Sequence, residues 1–181
     1  MTGMILPFKG VFPSIAEDAF IAQTAVITGD VVVGKESSVW YGCVMRGDVH
    51  RIRVGQRTNI QDGTIVHVTR DRFACIIGSD ITIGHRAVLH GCTLEDGCFV
   101  GMGATVMDGA VVEGGAMVAA GALVTPGKVV KRGELWGGSP AKFLRRLTEE
   151  ELAFFPLSAT QYAALGAEYL AEARLGPADG R

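Results

Sequence analysis

The stretch that decides the fold is IGHRAVLHGCTLEDGCFVGMGA, residues 83 to 104, in which glycines and aliphatic residues return every six positions. Helices and strands repeat with periods of 3.6 and 2, so neither explains this spacing. The aliphatic series comprises Val88, Leu94, Val100, Val106, Val112, Val118 and Val124. The glycine series comprises Gly91, Gly97, Gly103, Gly109, Gly115 and Gly121. A six-residue repeat of this kind is typical of a β-solenoid.

Two further series support the same period. Small residues follow the glycines at Cys92, Cys98, Ala104, Ala110, Ala116 and Ala122. The amino-terminal half repeats an aliphatic position at Ile15, Ile21, Ile27, Val33, Val39 and Met45. Three hexapeptides close a triangular coil of about 18 residues, and coils stack about 4.8 Å apart. We therefore predict a mainly β protein, with a parallel β-helix of six or seven coils over residues 1–136.

The repeat stops before the carboxy-terminal segment, residues 137–181, where helix formers take over. We expect Pro140 to open one short helix, and Thr148 to Glu151 to form a capping box that begins a longer one. The longer helix should carry an apolar stripe and pack on the β-helix, with the stripe formed by Tyr162, Leu165, Tyr169 and Leu170. The tail GPADGR is expected to fray.

Composition excludes several classes of function. The 181 residues are 48% hydrophobic, enough for one domain with a real core, and the formal charge of −2 offers no basic face for nucleic acid or an anionic membrane. The start of the chain does not resemble a signal peptide, and the apolar residues 114–130 contain glycines, Pro126 and Lys128, which is wrong for a membrane helix. We expect a cytoplasmic protein whose four cysteines are buried thiols.

Two segments break the six-residue rule, MRGDVHRIRV at 45–54 and VTRDRFACI at 68–76. Such exceptions are where function is usually added to a repeat. His67, His85 and His90 lie within 24 residues around the second break. If that break bulges out by about five residues, the 23-residue spacing from His67 to His90 places them on successive coils of one face. His85 then lies on an adjacent face that diverges by roughly 120°.

One chain cannot easily direct three such imidazoles at a single point, but a neighbouring copy in a threefold assembly can supply the third. Three histidines that leave a fourth position for water are the pattern of a catalytic zinc site, where the metal makes hydroxide available near neutral pH. The alternative is that they are surface imidazoles. His50 lies apart from the cluster and is interpreted as a solvated loop histidine.

Four motifs resemble the γ-class carbonic anhydrase family: MRGD at 45–48, NIQDGTIVH at 59–67, IGHRAVLHGC at 83–92 and WGGSPAKFLR at 136–145. The resemblance covers nearly the whole chain. It implies a homotrimer of left-handed β-helices with carboxy-terminal helices alongside.

The resemblance also implies roles for individual residues. The metal would be held by His67 and His90 of one chain and His85 of the next. Gln61 would orient the metal-bound hydroxide, Asn59 would position Gln61, and Tyr162 would reach the pocket from the helix. The residues implied in charge pairs that tie subunits together near the site are Arg46, Asp48 and Asp62, although a purely structural pairing is equally open for Arg46 and Asp62.

The leading hypothesis is a lyase, a carbonate dehydratase that reversibly hydrates carbon dioxide to bicarbonate. Val49 and Arg70 stand where archetypal members of the family carry proton-relaying glutamates, so turnover is expected to be low. The alternatives are a metal-binding trimeric scaffold with little or no activity and a hexapeptide-repeat acyltransferase. The metal is expected to be Zn²⁺, but imidazole ligands also suit Fe²⁺ and Co²⁺.

Overall fold

A computed structural model describes residues 3–175, with side chains described through residue 173, so the tail GPADGR lies outside the described residues. The described chain forms strands followed by one helix. The strands are β1 Met4–Leu6, β2 Ser14–Ile15, β3 Phe20–Ile21, β4 Val26–Val33, β5 Ser38–Val39, β6 Val44–Val54, β7 Asn59–Ile60, β8 Ile65–His67, β9 Cys75–Ile77, β10 Thr82–Ile83, β11 Val88–His90, β12 Thr93–Leu94, β13 Phe99–Val100, β14 Thr105–Val106, β15 Val111–Val112, β16 Met117–Val118, β17 Leu123–Val124, β18 Val129–Val130, β19 Glu134–Gly138 and β20 Ala141–Arg146. The helix, α1, is Glu149–Leu175.

The strands build a parallel β-solenoid of about 7 turns, which confirms the predicted fold class. The first face consists of β1, β4, β6, β8, β11, β14 and β17. The second face consists of β2, β4, β6, β9, β12, β15 and β18, and the third of β3, β5, β7, β10, β13, β16, β19 and β20. Strands β4 and β6 are long enough to turn a corner, so each belongs to two faces.

The aliphatic and small-residue series that were predicted to point inward form the core, except at one position. From Leu94 to Val124 the aliphatic series is at most 1% exposed, and the small-residue series is equally buried. Val88 was assigned to this series wrongly, because it is 36% exposed whereas Leu89 is fully buried. The inward positions Leu89 and Leu94 are only five residues apart, because the coil that contains them has 17 residues instead of 18. The pairing of Ile76 with Thr93 shows this spacing.

Both interruptions of the repeat are extra residues at a corner between the first and second faces. Along β4 and β6, the pairing shifts from Gly29 opposite Gly47 to Val31 opposite Ile52. The second interruption is a loop closed by an isolated bridge between Thr69 and Phe73. This loop confirms the predicted bulge, because His67 and His90 then pair directly across β8 and β11.

The carboxy-terminal segment differs from the prediction. The short helix predicted at Pro140 is wrong, because residues 141–146 find backbone partners in an antiparallel pairing with β19. The helical part of the predicted segment 137–181 therefore begins only at Glu149. The capping box is confirmed: the Thr148 amide donates to the Glu151 carboxylate at 2.9 Å, and the Glu151 amide donates to the Thr148 hydroxyl at 3.2 Å.

Helix α1 packs on the third face of its own chain. Tyr162 and Leu170 contact a buried cluster of Phe20, Ala22 and Trp40, whereas Leu165, which the predicted stripe included, is 38% exposed. Between residues 3 and 175, no helix combines the length and apolar character that a membrane span requires.

The four cysteines are buried free thiols, as predicted.

Candidate metal centre

Two of the three predicted ligands lie side by side on the first face. His67 ends β8 and His90 ends β11, and the two residues are partners in the parallel pairing of these strands. Nδ1 of His67 lies 3.1 Å from Nε2 of His90. The five-residue bulge thus brings two imidazoles that are 23 positions apart in sequence into direct contact.

Each of the three clustered histidines contacts a carboxylate through its other ring nitrogen. His67 Nε2 lies 3.2 Å from Asp48, His85 Nδ1 lies 2.8 Å from Asp62, and His90 Nδ1 lies 2.6 Å from Asp108. A carboxylate only accepts when ionised, so each of these nitrogens carries the hydrogen. The ring nitrogens left with lone pairs are His67 Nδ1, His85 Nε2 and His90 Nε2. Histidine ligands of metals are held by carboxylates in this way.

The His67 and His90 pair fits a metal. With both rings donating to carboxylates, two lone pairs face each other at 3.1 Å, an arrangement that a shared cation stabilises. Two nitrogens bound tetrahedrally to one zinc at about 2.0 to 2.1 Å lie about 3.3 Å apart, close to the observed separation. Within residues 3–175 of one chain, no three metal-binding side chains converge.

His85 does not join the pair within the chain. It lies in the turn before β11, where its ring contacts Asp62 in the corner of the preceding coil. The corner stacks regularly, since the Arg86 amide donates to the Asp62 carbonyl and the Gly103 amide to the His85 carbonyl. His85 therefore lies at the corner between the third and first faces and is partly exposed. The contact of Nδ1 with Asp62 sets the orientation of the ring and so the direction of Nε2.

Local electrostatics keep His67 neutral. Burial lowers the pKa of His67, and the Arg46 cation adds to this effect against the opposing hydrogen bond to Asp48. Burial works to raise the pKa of Asp48, but hydrogen bonds from Arg46 and His67 outweigh it and lower the pKa. A neutral imidazole beside an ionised carboxylate is the protonation state that a metal ligand needs.

Gln61 and Asn59 form a buried pair. The Gln61 Nε2 group donates to Asn59 Oδ1 at 3.0 Å, so the carbonyl Oε1 is the part of the Gln61 amide that remains to accept from a group in the site. The two residues are 5% and 1% exposed. The Cys43 thiol donates to the Gln61 backbone carbonyl at 3.0 Å, and burial raises the pKa of this thiol to about 11.

The remaining predicted site residues occupy the same region. Arg46 pairs with Asp48 inside the chain, whereas Asp62 contacts His85 instead of an arginine. Tyr162 packs edge-on against Trp40, with ring centroids 5.7 Å apart. Burial and, secondarily, the Asp62 charge raise the pKa of Tyr162.

His50 differs from its interpretation as a solvated loop histidine. It lies in strand β6, is partly buried, and its Nδ1 accepts a hydrogen bond from the Arg51 amide at 2.8 Å. It lines a cavity of about 300 Å³ whose wall includes Asp48 and Val49.

Sequence reasoning missed Asp108 and Thr69. Asp108 lies 18 positions after His90, on the next coil and one position beyond the register of β11 with β14. The Thr69 hydroxyl donates to the second oxygen of Asp108 at 2.9 Å and ties the loop to the site. Gly91, with φ of 56°, provides the space, since a Cβ there would lie 2.5 Å from the Asp108 carboxylate.

The Asp108→Asn variant should bind metal about 10 to 100 times more weakly, because partners of this kind fix the ring orientation and raise the basicity of the ligand. Competition against a chelator measures the affinity. Asp30→Asn, which alters an exposed pair with Arg53, serves as the control. Equal affinity in wild type and Asp108→Asn would show that Asp108 plays no part in holding the metal.

The solenoid and the carboxylate-held histidines define a hexapeptide-repeat protein with a candidate metal centre. No family model matches the chain. The chain is 53% identical to gamma carbonic anhydrase 1, mitochondrial, of Arabidopsis thaliana over 88% of this chain and 60% of that relative. It is 42% identical to a carbonic anhydrase of Geobacillus kaustophilus over 93% and 92% of the two chains. The chain belongs to the γ-class carbonic anhydrase family.

A solved structure agrees with this assignment. The crystal structure of a hexapeptide transferase family protein from Anaplasma phagocytophilum superposes with a TM-score of 0.88 and 54% identity, covering 92% of this chain and 98% of that one. This chain spans about three fifths of the length of the plant relative, because the match covers 60% of that protein.

Proposed function

We propose that this protein is a metal-dependent carbonic anhydrase whose site is shared between two copies of the chain in a homotrimer. The observation that carries the proposal is the His67 and His90 pair, whose facing ring nitrogens lie 3.1 Å apart while carboxylates contact the opposite nitrogens. Membership of the γ-class carbonic anhydrase family supports the reaction.

The outer surface of the first face supports the shared site. Residues paired in register from coil to coil form an apolar column on this face: Met4, Val26, Val44, Ile65, Val88 and Leu123, interrupted only by Thr105. Met4 is 55% exposed and Ile65 is 39% exposed. A column of this kind is typical of a surface that another protein copy covers. Since His67 and His90 lie beside it, the copy that covers the column can bring its own His85 to the pair.

The residues of this chain then have separate tasks. A divalent metal in such a site lowers the pKa of its bound water to about 7 and so supplies a nucleophile at neutral pH. Gln61 Oε1 would accept a hydrogen bond from the nucleophile and orient it toward carbon dioxide, and the hydrogen bond from Gln61 to Asn59 would hold the amide in this orientation. Arg46 and Asp48 hold the His67 ring. Zn²⁺ is the proposed metal, and Fe²⁺ or Co²⁺ suits the same ligands.

A second candidate is a metal-binding scaffold with little activity. Val49 packs against the core and cannot carry a proton, and Arg70 stays protonated near neutral pH. These two positions favour slow removal of the proton without affecting metal binding.

The cytoplasmic location stays a prediction from the sequence.

Stopped-flow hydration of carbon dioxide by metal-loaded protein tests the proposed function. Because the relay positions are not titratable, proton removal should limit turnover. Imidazole buffer is therefore expected to raise kcat about tenfold or more while kcat/KM changes little. Gln61→Ala should instead lower kcat/KM, because it disturbs the nucleophile. Metal-loaded protein that does not hydrate carbon dioxide, even in imidazole, would favour the scaffold.

A further inference from the structure

The buried Asn59 and Gln61 pair continues into helix α1. Asn59 Nδ2 donates to the Thr82 hydroxyl at 2.9 Å and to the Ile81 carbonyl at 3.3 Å. The Thr82 hydroxyl lies 2.8 Å from the hydroxyl of Ser158 on the helix. Thr82 and Ser158 are 3% and 4% exposed. A continuous hydrogen-bonded chain therefore links the helix to Gln61, out of reach of bulk water.

The hydrogen bonds of this chain fix the orientation of both side-chain amides. The Ile81 carbonyl can only accept, so Asn59 must present its NH₂ group to Ile81 and Thr82 and its Oδ1 to Gln61. Gln61 must then donate through Nε2, which leaves Oε1 as the acceptor. The Thr82 oxygen accepts from Asn59 and shares a further hydrogen bond with the Ser158 hydroxyl, in which either hydroxyl can donate.

Helix α1, which carries the last hydroxyl of this hydrogen-bonded chain, packs closely on the third face. Ser158 and Tyr162 are one turn apart and lie on the same face of α1. Tyr162 packs against Trp40, and a Cβ on Gly166 would lie 3.5 Å from Phe20, which shows how closely the helix approaches the third face. Buried, fully bonded polar chains of this type fix side-chain orientation.

We propose that Thr82 and Ser158 are positioning residues that set the orientation of the Gln61 amide, which makes helix α1 part of the site. The proposal rests on the proposed function of Gln61. Neither residue touches the reacting atoms. Their effect is to keep Asn59, and through it Gln61, from rotating or flipping its amide, so that Oε1 and not Nε2 faces the nucleophile.

The first experiment uses metal-free protein and requires no activity. NMR of protein labelled with ¹⁵N in asparagine and glutamine side chains reports hydrogen exchange of the Gln61 and Asn59 NH₂ groups. Thr82→Val should accelerate exchange at both groups roughly tenfold, because the chain loses its central hydroxyl. Ser158→Ala should give a smaller acceleration, and Thr82→Ser should restore the wild-type rate.

Ser38→Ala is the matched control. Ser38 pairs in register with Asn59 on the same face, is 1% exposed, and its hydroxyl accepts from Trp40 Nε1 at 2.9 Å rather than joining the chain. The control should lower the thermal stability in the same way as Thr82→Val and leave the exchange of the Gln61 amide unchanged.

The second experiment uses the metal-loaded protein. Thr82→Val should lower kcat/KM for carbon dioxide roughly tenfold with no change in metal content, and Thr82→Ser should restore it. Equal exchange rates and equal kcat/KM in Thr82→Val, Ser38→Ala and wild type would overturn the proposal. If wild-type protein does not hydrate carbon dioxide, the proposed function fails, and amide exchange in metal-free protein still decides whether Thr82 and Ser158 orient Gln61.

Discussion

Alanine at His67, His85 or His90 is expected to reduce the bound metal from one per chain to nearly none. Each substitution leaves two imidazoles, and two imidazoles with water hold zinc poorly compared with three protein ligands. Hydration of carbon dioxide should be lost together with the metal. Elemental analysis of each purified variant, combined with its mass in solution, measures the effect.

His50→Ala is the control for these three variants. His50 is also a partly buried histidine near Asp48, but it bonds the Arg51 amide and no other histidine. It should bind metal as wild type does. Loss of metal in His50→Ala together with full metal in His85→Ala would show that the site lies elsewhere.

Aspartate in place of Val88 is expected to convert the proposed trimer to a monomer and to abolish metal binding with it. Val88 lies within the apolar column, opposite Ile65, and beside the histidine pair. Burial of a carboxylate there without a partner would cost more free energy than association of the subunits provides. Light scattering should show the mass falling to about one third of the wild-type value.

Val129→Asp is a matched control for the interface. Val129 is the same residue type, is 39% exposed and also lies outward on a strand, but on the second face. It should leave the mass and the metal content unchanged. A Val88→Asp variant that stays trimeric with full metal would show that the apolar column does not form the interface.

The histidine pair was predictable because it depends on counting residues along a repeat. A coil of 18 residues and a bulge of five residues place His67 beside His90, and the same count identifies Asp108, 18 positions beyond His90. Asp108 was not predicted because it lies outside the motifs that contain the histidines, although the coil length applies equally to the residues beyond them.

The missed features have local physical causes. Val88 and Leu89 are adjacent aliphatic residues, so a six-residue count fits either one, and only the shorter coil decides that Leu89 points inward. Residues 141–146 are compatible with a helix by composition. They form a strand because β19 offers backbone partners, a tertiary contact that a local pattern does not contain. The chain from Gln61 to Ser158 likewise depends on where the helix packs.

The central claim is that each metal site takes His67 and His90 from one chain and His85 from the next. An equimolar mixture of two inactive variants, His67→Ala/His90→Ala and His85→Ala, unfolded and refolded together, tests it most directly. Random mixing makes about three quarters of the trimers mixed, and each mixed ring contains one restored interface of three. Metal should therefore return to about a quarter of the wild-type content, whereas each variant refolded alone binds none. A mixture that binds no more metal than its two components would contradict a site shared between chains.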